Sequence, residues 1–354
     1  MTQFNKLEAL TITPAILTQI TELDEFKGTW RALNNLAPDR LADLKKVATI
    51  ESIGSSTRIE GAKLSDQEIE ILLSSLETKS FQSRDEQEVA GYAETMNQIF
   101  LSWETTPFTE NYLKQFHSML LKYSEKDQWH KGHYKKNTNH VEAFDANGKS
   151  LGVIFETASP FETPDKMKEL VNWTNAALEK GLLHPICVIA LFIVEFLAIH
   201  PFQDGNGRLS RVLTTLLLLK AGYHYVPYSS LEHVIEANKD SYYLALRQSQ
   251  KTFKTKNPNY QPWLMFFLRS LVAQKQRLEN RIGDFQKFYD ALPALSETIL
   301  RLFENHRRLS TGEIEKLTGK SRATIKKRLT ELIQSDYIVR HGKGRSTWYS
   351  LATG

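Results

Sequence analysis

The chain has 354 residues, 41% of them hydrophobic, and a formal net charge of +4, which is enough apolar material for a sizeable core spread over two or three domains. Its one cysteine, Cys187, sits in an apolar run, excludes a disulfide framework and points to a reducing cytoplasm. Residues 1–20 lack a basic segment followed by a long apolar one, and the run Leu183 to Ile199 is interrupted by Glu195, so neither an export signal nor a membrane span is expected.

In chain order, Leu10 to Leu33 mixes apolar residues with threonines and acids and carries Pro14 at a helix-start position, which predicts short helices. Ala42 to Ile59 has helical spacing and ends in Ser55-Ser56-Thr57-Arg58-Ile59-Glu60-Gly61, where Gly61 suits a left-handed stop. Glu60 then stands at the negative end of the helix macrodipole, a place that disfavours a carboxylate unless a cation lies opposite. By itself it also reads as a solvated surface glutamate. Ser65-Asp66-Gln67-Glu68 forms a capping box ahead of Ile69, Ile71, Leu72 and Leu73. Helical spacing then recurs over Glu86 to Leu101 and Glu110 to Leu121, the body of a helical bundle. After Gly132 the texture changes. Val141, Ala143 and Phe144, then Asn147-Gly148, then Leu151, Val153 and Phe155 predict a β-hairpin within about His140 to Thr157. Sequence alone leaves open whether it is a surface ornament.

Leu183 to Ile199 and Leu209 to Leu219 are apolar helical segments that flank His200-Pro201-Phe202-Gln203-Asp204-Gly205-Asn206-Gly207-Arg208-Leu209-Ser210-Arg211. Gly205, Asn206 and Gly207 permit backbone angles that let successive N–H groups converge on an anion at the start of the second helix. Arg208 and Arg211, three residues apart, share a helix face and offer guanidinium forks to phosphate oxygens. Histidine as a residue type titrates near neutrality, so His200 suits proton abstraction, while Asp204 beside phosphates suits a magnesium ion. A structural histidine, an Asp-Gly turn and a solvated arginine face would all have to coincide for this loop to be inert.

Downstream, Glu236 to Leu246 begins a helix bearing Tyr242 and Tyr243, for which core packing and an adenine-stacking wall are both open. Gln250 lies one or two turns on. Phe253 to Pro262 is a loop, and Trp263 to Phe285 a connecting helix. Ser296 to Phe303, Thr311 to Leu317 and Arg322 to Ile333 read as three short helices, and Tyr337 to Leu351 as two strands around His341-Gly342-Lys343-Gly344, an arrangement resembling a winged helix-turn-helix. Residues 301–354 hold 12 Lys and Arg against 5 Asp and Glu, a charge of +7, while the rest of the chain carries −3. Arg322, Lys326, Lys327 and Arg328 on the third helix, with Arg340, Lys343 and Arg345 on the hairpin, suit phosphate-backbone contacts, although a protein-association role is open.

The twelve positions from His200 to Arg211 match throughout the signature of the Fic family, His-Pro-Phe-x-Asp/Glu-Gly-Asn-Gly-Arg-x-x-Arg, and the chain resembles that family over about Leu10 to Leu271. The resemblance implies a mainly α fold: a helical Fic-type bundle with a small β-hairpin flap, to which the winged helix-turn-helix domain is added at the C-terminus. It implies domains at 1–110, with an inhibitory helix at about 42–61, at 111–271 for catalysis, at 272–291 for a connecting helix, and at 292–354. The activity implied is transfer of AMP from Mg-ATP to a Ser, Thr or Tyr hydroxyl of a target protein or of the enzyme itself. The other reading is a DNA-binding regulator whose Fic domain senses nucleotide. By position, the resemblance makes His200 the base and Asp204 the metal ligand. Gly205, Asn206, Gly207 and Arg208 would hold the α- and β-phosphates, Arg211 the γ-phosphate, and Pro201 and Phe202 would shape the loop. Ser56-x-x-x-Glu60-Gly61 matches the inhibitory motif of one group of Fic proteins, in which the glutamate pairs with the second arginine and can also assist AMP removal. The flap, with Gly152, Val153, Ile154 and Phe155, would lie over the nucleotide and pair with a target strand, and Tyr242, Tyr243 and Gln250 would contact the nucleotide. Partners implied are target proteins, DNA at the tail and a second copy in a homodimer, without a membrane.

Overall fold

A run of buried helices frames the central loop. The computed structural model describes residues 10–32, 38–75, 81–139, 141–144, 150–290, 292–303, 306–335 and 337–352. The chain divides into two compact units, one drawn from residues 1–34 and 45–276 and the other from 35–44 and 277–354.

In the first unit, the short helices expected at the N-terminus are one helix, α1 (Pro14–Ala32), because Ile16, Ile20, Leu23 and Phe26 recur at helical spacing and all four are buried. Helix α2 (Pro38–Ile59), whose residues up to Leu44 belong to the second unit, starts upstream of Ala42, with Pro38 at its first position, where a missing N–H costs nothing. It stops in a Schellman turn: the Gly61 N–H donates to Arg58 O at 3.0 Å and the Ala62 N–H to Thr57 O at 3.1 Å, with Gly61 at φ 109°. Glu60 is therefore the C-cap residue. Helix α3 (Asp66–Ser74) opens on the capping box of Ser65 and Glu68. Helices α4 (Arg84–Ser102) and α5 (Glu110–Leu120) cross closely at Gly91, where a Cβ would run into Leu120 O.

Strands β1 (Val141–Phe144) and β2 (Ser150–Phe155) pair antiparallel, as expected of a hairpin, with Val141 opposite Phe155 and Ala143 opposite Gly152 and the register shifted after Val141 and after Ala143. His140 and the Asn147-Gly148 turn lie outside the described residues. Helix α6 (Thr163–Lys180) then leads to α7 (Pro185–Ile199), buried at every position from Ile186 to Ile199, and α8 (Asn206–Lys220) follows the loop. The helix expected from Glu236 is two helices, α9 (Leu231–Ala237) and α10 (Lys239–Gln250), separated at Asn238, whose φ of −121° breaks the helical backbone. Helix α11 (Gln261–Asp290) is continuous over 30 residues, those up to Gln276 in this unit and those from Arg277 in the second.

The second unit contains α12 (Ala294–Phe303), α13 (Thr311–Thr318), α14 (Arg322–Gln334) and an antiparallel pair, β3 (Ile338–His341) with β4 (Trp348–Leu351). Ser310 and Ser321 cap the last two helices, and Ile299, Leu300, Phe303, Ile314, Ile325, Leu329, Ile338 and Tyr349 form one core. Among the described residues no helix is long and apolar enough to cross a membrane.

Candidate active site

His200 ends α7 in the left-handed conformation, φ 53° and ψ 61°, the one non-glycine residue with positive φ among those described. Its N–H donates to Phe196 O at 2.8 Å and its Nδ1 lies 3.3 Å from Leu197 O. A proton on Nδ1 makes that bond and leaves the Nε2 lone pair free. Burial pushes the imidazole down to about 4, so it is neutral at pH 7. Asn206 braces the turn, accepting the Phe202 N–H on Oδ1 at 2.9 Å and donating from Nδ2 to Phe202 O at 2.7 Å. Its side chain is thus committed to the loop. Helix α8 begins at Gly205, φ 79°, with no side-chain cap, which leaves its first-turn N–H groups for an external anion. Sequence reasoning missed His117 on α5. Its ring stacks on Phe202 with centroids 3.8 Å apart, its Nδ1 accepts the Gly132 N–H at 2.9 Å, and its Nε2–H therefore donates to Asp204 O at 3.0 Å.

The charged groups form two clusters. Burial alone would raise the Asp204 carboxyl, but Arg208, the Gly205 N–H and Arg84 outweigh it and hold the group below its ordinary value. Arg208 is buried, with Nη2 at 3.3 Å from Asp204 Oδ1 and Nη1 at 3.0 Å from Glu88 Oε2 on α4. Arg84 bridges Glu88 at 2.8 Å and Asp204 at 3.4 Å. In the second cluster, Arg211 Nε donates to Ser56 Oγ at 2.7 Å, and its Nη2 donates to Ser56 O at 2.9 Å and to Glu60 Oε1 at 2.8 Å. The Glu60 carboxylate also lies against Gly207, where a Cβ would run into its Oε1. Arg208 Nε and Arg211 Nη1 are buried donors with no hydrogen-bond partner. Arg58, two residues before Glu60, clasps Glu236 of α9 through two bonds of 2.7 and 3.0 Å and Asp66 through a third of 2.8 Å.

Residues 107–218, which span this loop and the helices on either side, match the family model described as Fic/DOC family. Over those residues the chain is similar to a Fic domain. It is 28% identical over 207 residues to the protein adenylyltransferase Fic of Drosophila mojavensis, covering 58% of this chain and 38% of that one. It is 44% identical over 57 residues to the protein of the same name from Culex quinquefasciatus, covering 16% and 11%. The chain thus spans well under half the length of these curated relatives. The crystal structure of a Fic family protein from Desulfovibrio desulfuricans G20 covers 97% of each chain with a TM-score of 0.62 and 22% identity. A Fic domain containing signaling protein from Bacteroides thetaiotaomicron covers 74% of this chain and 97% of its own, with a TM-score of 0.58 and 26% identity.

Around the loop, the expected nucleotide neighbours separate. Tyr242 is buried, edge-on to Trp263 with centroids 5.8 Å apart, whereas Tyr243, next to it, is 38% exposed. Gln250, the last residue of α10, is buried. Gly152, Val153 and Ile154 lie in β2, their side chains outside the described residues, and Phe155 is half-buried. In the second unit Arg322, Lys326, Lys327, Arg340 and Lys343 are exposed, while Arg328 pairs with Glu331 at 2.6 Å. The Arg345 side chain lies outside the described residues.

Proposed function

We propose that this protein is a Fic-type adenylyltransferase that moves AMP from Mg-ATP to a Ser, Thr or Tyr hydroxyl of a target protein or of itself, and that Glu60 restrains it. The observation that carries this reading is the loop itself, where a neutral histidine, a carboxylate held below its ordinary pKa and two buried arginines with uncommitted donors stand within twelve residues. His200 Nε2 takes the proton as the hydroxyl oxygen bonds to the α-phosphorus and the bond to the β-phosphate breaks, releasing pyrophosphate. Arg208, the Asn206 and Gly207 N–H groups and Arg211 hold the phosphate chain and align it for that attack, while the Gly205 N–H stays on Asp204. One ionised carboxylate beside a phosphate cradle fits magnesium, which usually binds one or two carboxylates plus phosphate oxygens. Asp204 would hold that ion, whose chemistry is to neutralise charge on the phosphates. His117 and Phe202 keep Asp204 and His200 in register.

With Glu60 on Arg211 at 2.8 Å, the arginine expected to receive the γ-phosphate is taken. The same carboxylate would orient water in AMP removal, so Glu60→Gly separates the two activities. Incubation of the full chain with Mg-ATP and candidate targets, followed by intact-protein mass spectrometry, tests the reading. The parent and Glu60→Gly should add AMP to target or enzyme, and His200→Ala should add none while still binding ATP. No adduct on any protein with Glu60→Gly would overturn it.

A second reading concerns the tail. Three helices followed by a hairpin, with Arg322, Lys326 and Lys327 exposed on α14 and Arg340 and Lys343 on the hairpin, support a winged helix-turn-helix that binds DNA phosphates. It would place the enzyme on DNA, and Cys187, buried and unpaired, suits a cytoplasmic setting.

A further inference from the structure

Four consecutive carbonyls at the catalytic turn are held from outside by two residues. Lys135 Nζ donates to Ile199 O at 3.0 Å and the Lys135 backbone N–H to Pro201 O at 2.8 Å. Asn139 Nδ2 donates to His200 O at 3.2 Å and to Phe202 O at 2.6 Å. The last carbonyls of a helix have no partners within it, so these bonds set where α7 stops and how the chain leaves. The same two residues reach the base of the flap. Lys135 Nζ also donates to Asn139 Oδ1 at 2.7 Å and to Thr157 Oγ1 at 2.9 Å, and Thr157 Oγ1 donates to Asn139 Oδ1 at 3.1 Å. Asn139 stands two residues before β1 and Thr157 two residues after β2.

All three ammonium protons of Lys135 are used, and its side chain is buried at 3% exposure without a bonded carboxylate. Burial pushes the amine down to about 8. A buried cation held only by neutral acceptors is costly as a packing solution, which argues that its placement serves something other than stability. What it touches is the backbone on either side of His200, at Ile199 O and Pro201 O, and, through Asn139 and Thr157, both stems of the hairpin; Asn139 alone reaches His200 O.

We propose that Lys135 and Asn139 are positioning residues, which lock His200 in its left-handed conformation and register the flap on the same clamp, so that a strand docked on the flap is aligned with the histidine. This rests on the transfer reading above. A misplacement of about 1 Å at an attacking group can cost about 100-fold in rate, so the clamp should act on turnover and leave nucleotide binding alone.

The test uses the full chain with Lys135→Met, Lys135→Arg and Asn139→Ala, each in the parent and in Glu60→Gly. Three quantities are read: ATP affinity by calorimetry with magnesium, kcat and KM for AMP transfer, and amide hydrogen exchange at residues 198–206 and 153–157. Lys135→Met should lower kcat about 30-fold or more with ATP affinity within about 3-fold, and exchange should rise in both segments together. Lys135→Arg, which keeps the charge and several donors, should recover most of the rate. Parent-like kcat and parent-like exchange in a folded Lys135→Met protein would overturn the proposal. So would a loss that Lys135→Arg fails to recover while ATP affinity falls equally, because that marks a merely structural lysine. If Lys135→Met does not fold, Asn139→Ala decides on the same readouts. If the parent and Glu60→Gly transfer no AMP at all, the enzymatic reading fails, and exchange alone decides the clamp: a joint rise supports it and unchanged exchange overturns it.

Discussion

Glu60 occupies a position that helix electrostatics disfavour, the C-cap of α2, and the Arg211 guanidinium at 2.8 Å outweighs that field. Conversely, burial would lower the pKa of Arg211, yet Glu60, Tyr242 and Tyr92 hold it raised. The pair is therefore mutual, and removing either partner leaves a different defect. Glu60→Gly should raise the initial rate of AMP transfer by about 10-fold or more, since realigning an attacked phosphorus has effects of that size. Arg211→Ala should stay poorly active with or without Glu60, giving strong non-additivity in a double-mutant cycle measured on self-modification and on a target. Equal rates for the parent and Glu60→Gly would refute the inhibitory role. This pair was legible in the sequence because each partner sits in its own short motif. Glu88, Arg84 and His117 were not, since the bonds of Arg84 and His117 to Asp204 span 120 and 87 residues and no local pattern announces them.

Elements followed their periodicity where one face is buried. Helices α4 and α5 appear close to where spacing puts them, α7 where an unbroken apolar run does, and β1 and β2 where the alternation puts a hairpin. The break at Asn238 escaped because Glu236 to Leu246 has no proline or glycine to mark it, and α1 was expected in pieces because its threonines mask a regular apolar stripe. On α10, two adjacent tyrosines necessarily point to different sides of the helix. Tyr243→Ala should therefore weaken ATP binding about 10-fold, as loss of a stacking wall does, with little change in melting temperature. Tyr242→Ala, emptying a site beside Trp263 and Phe266, should cost about 3 kcal/mol of stability. Calorimetry and thermal melts separate the two, and the reverse pattern would reassign the wall. On α14 and the β3–β4 hairpin, the five exposed cations predict a log–log salt slope for duplex DNA binding approaching about −4.5. A gel shift on the full chain should show it, with Lys326→Glu and Lys327→Glu flattening the slope. No binding at low salt would assign the face to a protein.

Across the whole molecule, protonation of buried groups ties stability to pH. His117 and His200 are both pushed down to about 4 by burial, whereas in the unfolded chain they titrate near 6.5. Between these values the unfolded state binds more protons, so the histidines' contribution is intact above about 6.5 and is lost as pH falls towards 4. Glu195, raised to about 7 by burial, opposes this as one group against two. Melting temperature should fall between pH 6.5 and 4, less steeply in His117→Gln, and a flat profile would contradict the lowering of both imidazoles. The conformation of His200 has a consequence of another kind. A left-handed backbone costs a non-glycine residue about 1 kcal/mol, and glycine is free of that cost. On the transfer reading His200→Gly should be catalytically dead while freed of that backbone cost, and thermal melts at neutral pH weigh the relief against the lost ring bond to Leu197 O and the greater freedom of an unfolded glycine; a melting temperature at or above the parent's would mark a histidine that the fold does not require.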